Sequence, residues 1–170
     1  MSTLEPMEDE VDRLIEAWRR ERPDLDVAPM GVIGRLLRVS RALDAELDRT
    51  FRQHGLDRAA FDVLATLRRA GPPNRLTPTE LMRASMVTSG AITQRLDRLE
   101  RRGLVERSRS EHDGRVVQVA LTDEGRALID RALPDHLANE DRLLAALTNP
   151  QRKALADSLR RLLESLGDTS

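Results

Sequence analysis

The chain has 170 residues, no cysteine and a formal net charge of −1 at pH 7. This length suits about one domain, and the lack of cysteine excludes disulfides, thiolate nucleophiles and zinc–thiolate sites. No apolar run approaches the roughly 18 residues that span a bilayer, and residues 1–10 are acidic and lack the apolar core of a signal peptide. These properties predict a cytoplasmic protein.

The charge is unevenly distributed along the chain. Between Arg83 and Arg115, eight arginines stand against five acidic residues, whereas the segment from Glu8 to Asp26 holds eight acidic residues against four arginines. A basic segment inside an otherwise acidic chain is typical of a surface that contacts DNA.

Apolar spacing predicts two helices at the start of the chain. Four residues follow the i, i+3, i+4, i+7 pattern of one helical face, and their helix should end before Pro23. Residues 24–29 are predicted to be a linker, followed by a long helix that ends at Gly55. The first face comprises Val11, Leu14, Ile15 and Trp18, and the stripe of the long helix comprises Ile33, Leu36, Leu37, Leu43, Leu47 and Phe51.

A helix capped by Asp57 is predicted next, and it is followed by a helix-turn-helix. Thr77 is a good N-cap, Pro78 suits the first helical position, and Glu80 completes a capping box. This short helix should end near residue 84, and a second helix should run from Thr88 to Arg102.

The pattern changes to a period of two after the helix-turn-helix. Residues 104–109 and 115–121 are predicted strands around the polar turn 110–114, and a hairpin in this position is a wing. Thr122 should cap a long helix kinked by Pro134, and the last helix should begin at Thr148. The predicted fold is therefore mainly α-helical with a small β-wing.

The helix over residues 88–102 has an apolar face and a face of hydroxyl, amide and guanidinium groups, which can reach base edges and phosphates in a major groove. An ordinary solvated helix face is the alternative. Arg115, on the wing turn, can enter a minor groove. We predict DNA contacts from Thr77, Thr88, Ser89, Thr93, Gln94, Arg98, Arg109 and Arg115.

Three segments of the sequence resemble the DNA-binding core of the MarR family: 97–105 (DRLERRGLV), 113–115 (DGR) and 119–125 (VALTDEG). Gly114 departs from the arginine of many members. The resemblance implies a homodimer of interlocked N- and C-terminal helices that binds a pseudo-palindromic operator. It divides the chain into an extension (1–29), a dimerisation region (30–56 and 123–170) and a DNA-binding lobe (57–122).

Arg95 interrupts the apolar stripe of the predicted recognition helix. An isolated buried charge is costly, so Arg95 needs a partner or a cavity. Arg107 is a possible neighbour, and Asp62 could balance either arginine. A purely structural ion pair is the alternative to a ligand site.

The N-terminal helix, with the chain's single tryptophan, resembles the extension of the urate-responsive branch of the MarR family. That resemblance implies a site for a planar anion such as urate, in which two arginines bind the anion, the indole covers it and an aspartate is repelled. The matching residues are Trp18, Asp62, Arg95 and Arg107.

Other kinds of function compete with this one. Catalysis is not indicated, because the three histidines lie in unrelated segments and no phosphate loop, nucleophile elbow or tight carboxylate pair is present. No cofactor or metal is predicted. A regulator of the same fold that responds to an aromatic or tricarboxylic acid, a ligand-independent DNA-binding protein and a helical partner-binding module remain open.

Overall fold

The computed structural model describes residues 8–84, 92–109 and 116–168. In chain order the elements are α1 (Glu10–Glu21), α2 (Ala28–Gln53), α3 (Arg58–Arg69), β1 (Arg75–Leu76), α4 (Pro78–Ala84), α5 (Ile92–Arg101), β2 (Val105–Arg109), β3 (Val117–Leu121), α6 (Asp123–Leu143) and α7 (Asn149–Ser165). The predicted fold class, helical with a small β-wing, is confirmed. Within the described ranges, every helix is too short or too polar to cross a membrane.

The chain divides into two compact units, Met1–Glu46 and Leu47–Ser170, with the boundary inside α2. In the first unit, α1 ends before Pro23 as predicted. Its buried stripe is narrower than the predicted one, because Val11 and Ile15 are buried whereas Leu14 and Trp18 are 49% and 43% exposed.

In the first unit, α1 packs closely against α2. A Cβ atom on Gly31 would lie 3.1 Å from Ile15 Cδ1, and one on Gly34 would lie 3.2 Å from Val11 Cγ1. Small residues at these two positions therefore let the helices approach. Arg35 of α2 adds ion pairs to the N-terminal end of α1, 2.9 Å to Asp9 and 2.6 Å to Asp12.

The linker predicted at residues 24–29 is shorter in the structure, because α2 already begins at Ala28. The carboxylate of Asp26 accepts a hydrogen bond from the Ala28 main-chain N–H at 3.0 Å and so caps the helix. Pro29 fits the first turn, where its missing N–H has no intrahelical acceptor to lose.

In the second unit, α3 lies at the centre of the core. Phe61 of α3 stacks on Phe51 of α2 with ring centroids 4.5 Å apart, and His136 of α6 lies 4.7 Å from Phe61. The fully buried side chains around them come from four helices and two strands: Val63, Leu64, Leu67, Leu81, Leu96, Leu99, Val105, Val119 and Ile129. The core thereby fixes α4 and α5 against α3.

The sheet has three antiparallel strands in the order β1-β3-β2. β2 and β3 agree with the predicted wing to within two residues at each described end, and their register pairs Val105 with Leu121 and Arg109 with Val117. The strand β1 was not predicted, because two residues are too short to display a period; it pairs Arg75 with Ala120 of β3.

The start of α6 lies very close to the end of α5. Thr122 caps α6 by accepting from the Gly125 N–H at 3.0 Å, and its hydroxyl donates to the Gly103 carbonyl at 2.6 Å. A Cβ atom on Gly125 would overlap the carbonyl oxygen of Leu104. Glycine is therefore required at position 125, and α6 continues from there through Pro134.

Candidate nucleic-acid interface

The capping box predicted at the start of α4 is present. The Glu80 carboxylate accepts hydrogen bonds from the main-chain N–H of Thr77 at 2.7 Å and from its hydroxyl at 2.9 Å. The Glu80 N–H donates to the Thr77 hydroxyl at 3.2 Å. These bonds, the main-chain one first, hold the pKa of Glu80 below its usual value. The box fixes Thr77, a predicted DNA contact, at the first turn of the helix-turn-helix.

The described part of the predicted recognition helix is α5. It buries Ile92, Leu96 and Leu99 on one side. Because each helical residue turns by roughly 100°, Gln94 and Arg101 lie on the opposite side, and both are exposed. Thr93 is exposed beside them, whereas Thr88 and Ser89 lie outside the described residues. The exposed side of α5 thus carries the amide and guanidinium groups that base edges and phosphates accept.

Arg98, a predicted DNA contact, lies on the flank of α5 that faces α3. Its guanidinium Nη1 is 3.1 Å from Oδ2 of Asp57, the N-cap of α3. The two side chains are 65% and 55% exposed, and exposed pairs of this kind contribute little to stability. Another hydrogen-bond acceptor can therefore replace Asp57 as the partner of Arg98 at low cost.

Arg109 is the predicted DNA contact at the described end of β2. It is exposed and lies opposite Val117. Arg115, predicted at the wing turn, lies outside the described residues. β2 and β3 therefore present one of the two predicted wing arginines on the surface of the described hairpin.

Arg107, a predicted ligand residue, is bound to α5. Its Nη1 lies 2.6 Å from Asp97 and 2.7 Å from Glu100, and its Nη2 donates to the Thr93 carbonyl at 3.3 Å. Partial burial lowers the pKa of Arg107, but the hydrogen bonds to Asp97 and Glu100 outweigh it and raise the pKa overall. Arg107 is therefore a positively charged residue of β2 that pairs with two carboxylates of α5.

The other three predicted ligand residues lie on three different helices. Asp62 is buried in α3 at 8% exposure, and Arg95 is half-buried on α5. Both are engaged by other groups of the chain. Trp18 belongs to the first unit, where Leu14, Ala17 and Glu21 line a shallow pocket beside it.

The carboxylates of Asp97 and Glu100 were missed as partners of Arg107. The sequence alone suggested Asp62 as the counter-charge. Thr93, Asp97 and Glu100 follow an i, i+4, i+7 spacing along one flank of the helix, and a strand returns directly after it. That spacing was the available signal, although only the packing of β2 beside α5 shows which flank Arg107 reaches.

Comparison with known proteins shows a family whose sequences are similar to this chain. The model described as MarR family matches residues 54–116. Among curated proteins, the HTH-type transcriptional regulator PecS of Dickeya dadantii is 43% identical to this chain, over 92% of the chain and 95% of PecS.

Two solved structures extend the likeness to the fold. Sco3205, a MarR family transcriptional regulator from Streptomyces coelicolor in complex with DNA, matches with a TM-score of 0.74 and 28% identity over 84% of this chain and 90% of Sco3205. BpsR of Bordetella bronchiseptica, whose DNA binding is regulated by 6-hydroxynicotinic acid, matches with a TM-score of 0.68 and 27% identity over 76% and 91% of the two chains. The predicted winged helix-turn-helix is confirmed.

Proposed function

Because this chain belongs to the MarR family of transcriptional regulators, we propose that it binds a pseudo-palindromic operator as a homodimer and is released from DNA by a small planar anion such as urate. Its relatives are regulators of transcription, and it is not an enzyme. The observation that carries the DNA-binding proposal is the exposed polar side of α5 beside the β2–β3 wing, in a fold shared with a DNA-bound regulator.

Exposed apolar surface supports the homodimer. None of the residues of α7, all of which the structure describes, is buried. Leu163 of this helix and Leu166, its C-cap, are 49% and 74% exposed, and Ile33 and Leu37 of α2 are 51% and 64% exposed. Apolar surface of this extent on a small chain is typical of an interface. We therefore propose that residues 30–56 and 123–170 form the dimer, residues 57–122 bind DNA and residues 1–29 form an extension.

Sedimentation and DNA binding test these two parts of the proposal. At micromolar concentration the protein should sediment as a dimer, and a stable, folded monomer would overturn the model. A duplex selected in vitro by the protein should contain two related half-sites. Its affinity should fall steeply with salt, because phosphate contacts release counterions. Equal affinity for selected and random duplexes would refute sequence-specific binding.

The anion proposal is supported by the residues at the four positions that match the urate-responsive pattern: a tryptophan, an aspartate and two arginines. Guanidinium groups bind planar anions through paired hydrogen bonds, and an indole covers a flat ring. An anion that repels Asp62 would disturb α3, against which the recognition helix packs. Ligand and DNA should therefore oppose each other by linkage.

Calorimetry on four variants tests the anion site. Arg95→Ala and Arg107→Ala should abolish urate binding, and Trp18→Phe should weaken it less because a flat apolar face remains. Asp62→Asn should retain binding but uncouple it from DNA release, since it keeps the shape and removes the charge. Arg13→Ala, at an exposed position of α1, is the control. Urate binding unaffected by Arg95→Ala would place the site elsewhere.

A second candidate effector is an aromatic acid. BpsR, a structural relative, is regulated by 6-hydroxynicotinic acid, which is also a planar heterocycle with acidic groups. Titration with urate, 6-hydroxynicotinate and citrate, followed by DNA release, would separate a purine, an aromatic acid and a tricarboxylic acid. If none of these binds, ligand-independent DNA binding is favoured.

A further inference from the structure

The side chain of Arg107 reaches from the wing strand β2 to three groups spaced along α5. It contacts the carbonyl of Thr93, the carboxylate of Asp97 and the carboxylate of Glu100. The main-chain N–H of Arg107 adds a fourth bond, 3.2 Å to Glu100 Oε1. Side chain and backbone of one strand residue are thus both used to hold the helix.

The spacing of these groups fixes more than a distance. Thr93, Asp97 and Glu100 lie on one flank within about two turns of α5, and their oxygen atoms converge on one guanidinium. The buried stripe already orients α5 against α3, and the contacts at i, i+4 and i+7 oppose rotation of its other flank away from the strand. The planar guanidinium suits this task because its donors have a rigid geometry.

Rotation of α5 matters because its exposed side carries the predicted base contacts. Gln94, a predicted DNA contact, lies roughly opposite the buried stripe and turns with the helix. Hydrogen bonds to base edges depend on position to within a few tenths of an ångström, whereas attraction to phosphate depends mainly on charge. A small rotation of α5 would therefore reduce sequence discrimination more than overall DNA affinity.

We propose that Arg107, with Asp97 and Glu100, is a positioning device for DNA reading: it sets the rotation of the recognition helix against the wing. The proposal rests on the proposed DNA-binding function. It assigns to Arg107 a role in sequence discrimination that does not require contact with either DNA or ligand.

The sign of one effect separates this role from simple electrostatics. Glu100→Gln removes a negative charge from the recognition helix, and reduced repulsion of phosphates alone would strengthen DNA binding. If the contact between Glu100 and Arg107 positions α5, its loss should instead weaken binding to the selected operator. Glu106→Gln is the matched control, because Glu106 is exposed on the other face of β2, next to Arg107, and undergoes the same change in charge.

The experiment measures fluorescence anisotropy with the full chain on two duplexes, the operator selected by the parent and a random sequence, at one salt concentration. Glu100→Gln and Arg107→Lys should lower the ratio of operator to random affinity about tenfold, as expected when one bidentate base contact is displaced. Glu106→Gln should leave the ratio unchanged. Because Arg107→Lys retains the charge, a lower ratio in this variant would reflect the absence of the planar guanidinium with its several donors. Combining Glu100→Gln with Arg107→Lys should cost no more than Arg107→Lys alone.

The outcomes separate the two proposals. Circular dichroism should show the same helix content and dimer melting within a few degrees for all variants, and amide exchange in α5 should rise in Glu100→Gln but not in Glu106→Gln. If the parent discriminates between the duplexes and Glu100→Gln behaves like Glu106→Gln, the positioning role is refuted. If the parent does not discriminate, the proposed function fails and the positioning role fails with it.

Discussion

The two flanks of α5 each carry an arginine–carboxylate pair, and the pairs differ in burial and in the number of contacts. Toward β2, Arg107 is only 25% exposed and bonds two carboxylates and a carbonyl. Toward α3, Arg98 is 65% exposed and shares one 3.1 Å contact with Asp57. Multidentate, partly buried pairs resist exchange, whereas exposed single pairs are weak. The helix is therefore held on one flank and carries an available cation on the other.

The largest expected difference between the flanks is in stability. Arg107→Ala leaves Asp97 and Glu100 without their partner, and loss of charge-assisted hydrogen bonds should lower the free energy of unfolding by about 1–3 kcal/mol. Arg98→Ala should lower it by less than about 0.5 kcal/mol. Urea denaturation at pH 7 and a fixed protein concentration would measure both, since dimer stability depends on concentration. Equal losses would remove the distinction between the flanks.

The flanks should differ in the opposite sense in direct DNA contact. Arg98→Ala should reduce operator affinity by about 1–3 kcal/mol, the usual cost of losing an arginine that contacts a base edge. Because Arg98 gives up only an exposed pair with Asp57, Asp57→Asn should have little effect on DNA binding beyond that of the removed charge. Anisotropy titration provides the measurement, with Arg13→Ala as the control. Parent-like affinity in Arg98→Ala would show that this flank faces away from DNA.

The elements of both units were largely predictable from sequence because their signals are local. Asp57, Thr77 and Thr122 cap helices through side chains only a few residues from their targets. Such contacts leave a fixed spacing in the sequence. The strand β1 could not be found in this way, since its stability comes from pairing with β3, more than forty residues later.

The partners of the site residues were less predictable, because side-chain pairing depends on which elements become neighbours. Arg107 lies seven residues after Glu100, but its choice of Glu100 and Asp97 over Asp62 is set by the packing of β2 beside α5. The same applies to Arg98, whose partner Asp57 is 41 residues away. The sequence shows which residues are charged, but it does not show which of these charges pair in the fold.

A smaller effect concerns anion binding, and it sharpens the comparison on the β2 flank. An anion that binds Arg107 must displace a carboxylate, so Glu100→Gln should raise urate affinity by about 1 kcal/mol, roughly fivefold. Calorimetry with urate and with 6-hydroxynicotinate would test this, with Glu106→Gln as the charge-matched control. Unchanged affinity in Glu100→Gln would mean that Arg107 does not enter the anion site. No binding by the parent would instead refute the effector proposal.

The smallest expected effect is in the first unit. There a third arginine, Arg35, tests whether an exposed ion pair contributes to stability when the arginine makes several contacts. Arg35 holds Asp12 at 2.6 Å, and this hydrogen bond, the largest cause, keeps the pKa of Asp12 below 3.8. A lowered pKa stabilises the fold above the unfolded-state value, and this contribution is lost as the pH falls through the folded-state value. Asp12→Asn should therefore speed amide exchange in α1 at pH 6, and the difference from the parent should shrink as the pH falls below the unfolded-state pKa and vanish once the pH is below the folded-state pKa. Asp24→Asn, which removes a carboxylate paired with Arg22 just after α1, is the control and should leave exchange in most of α1 unchanged. A difference between Asp12→Asn and the parent that persists at low pH would show that the substitution acts through the helix cap or the packing of α1, and that exposed multidentate pairs contribute no more than single ones.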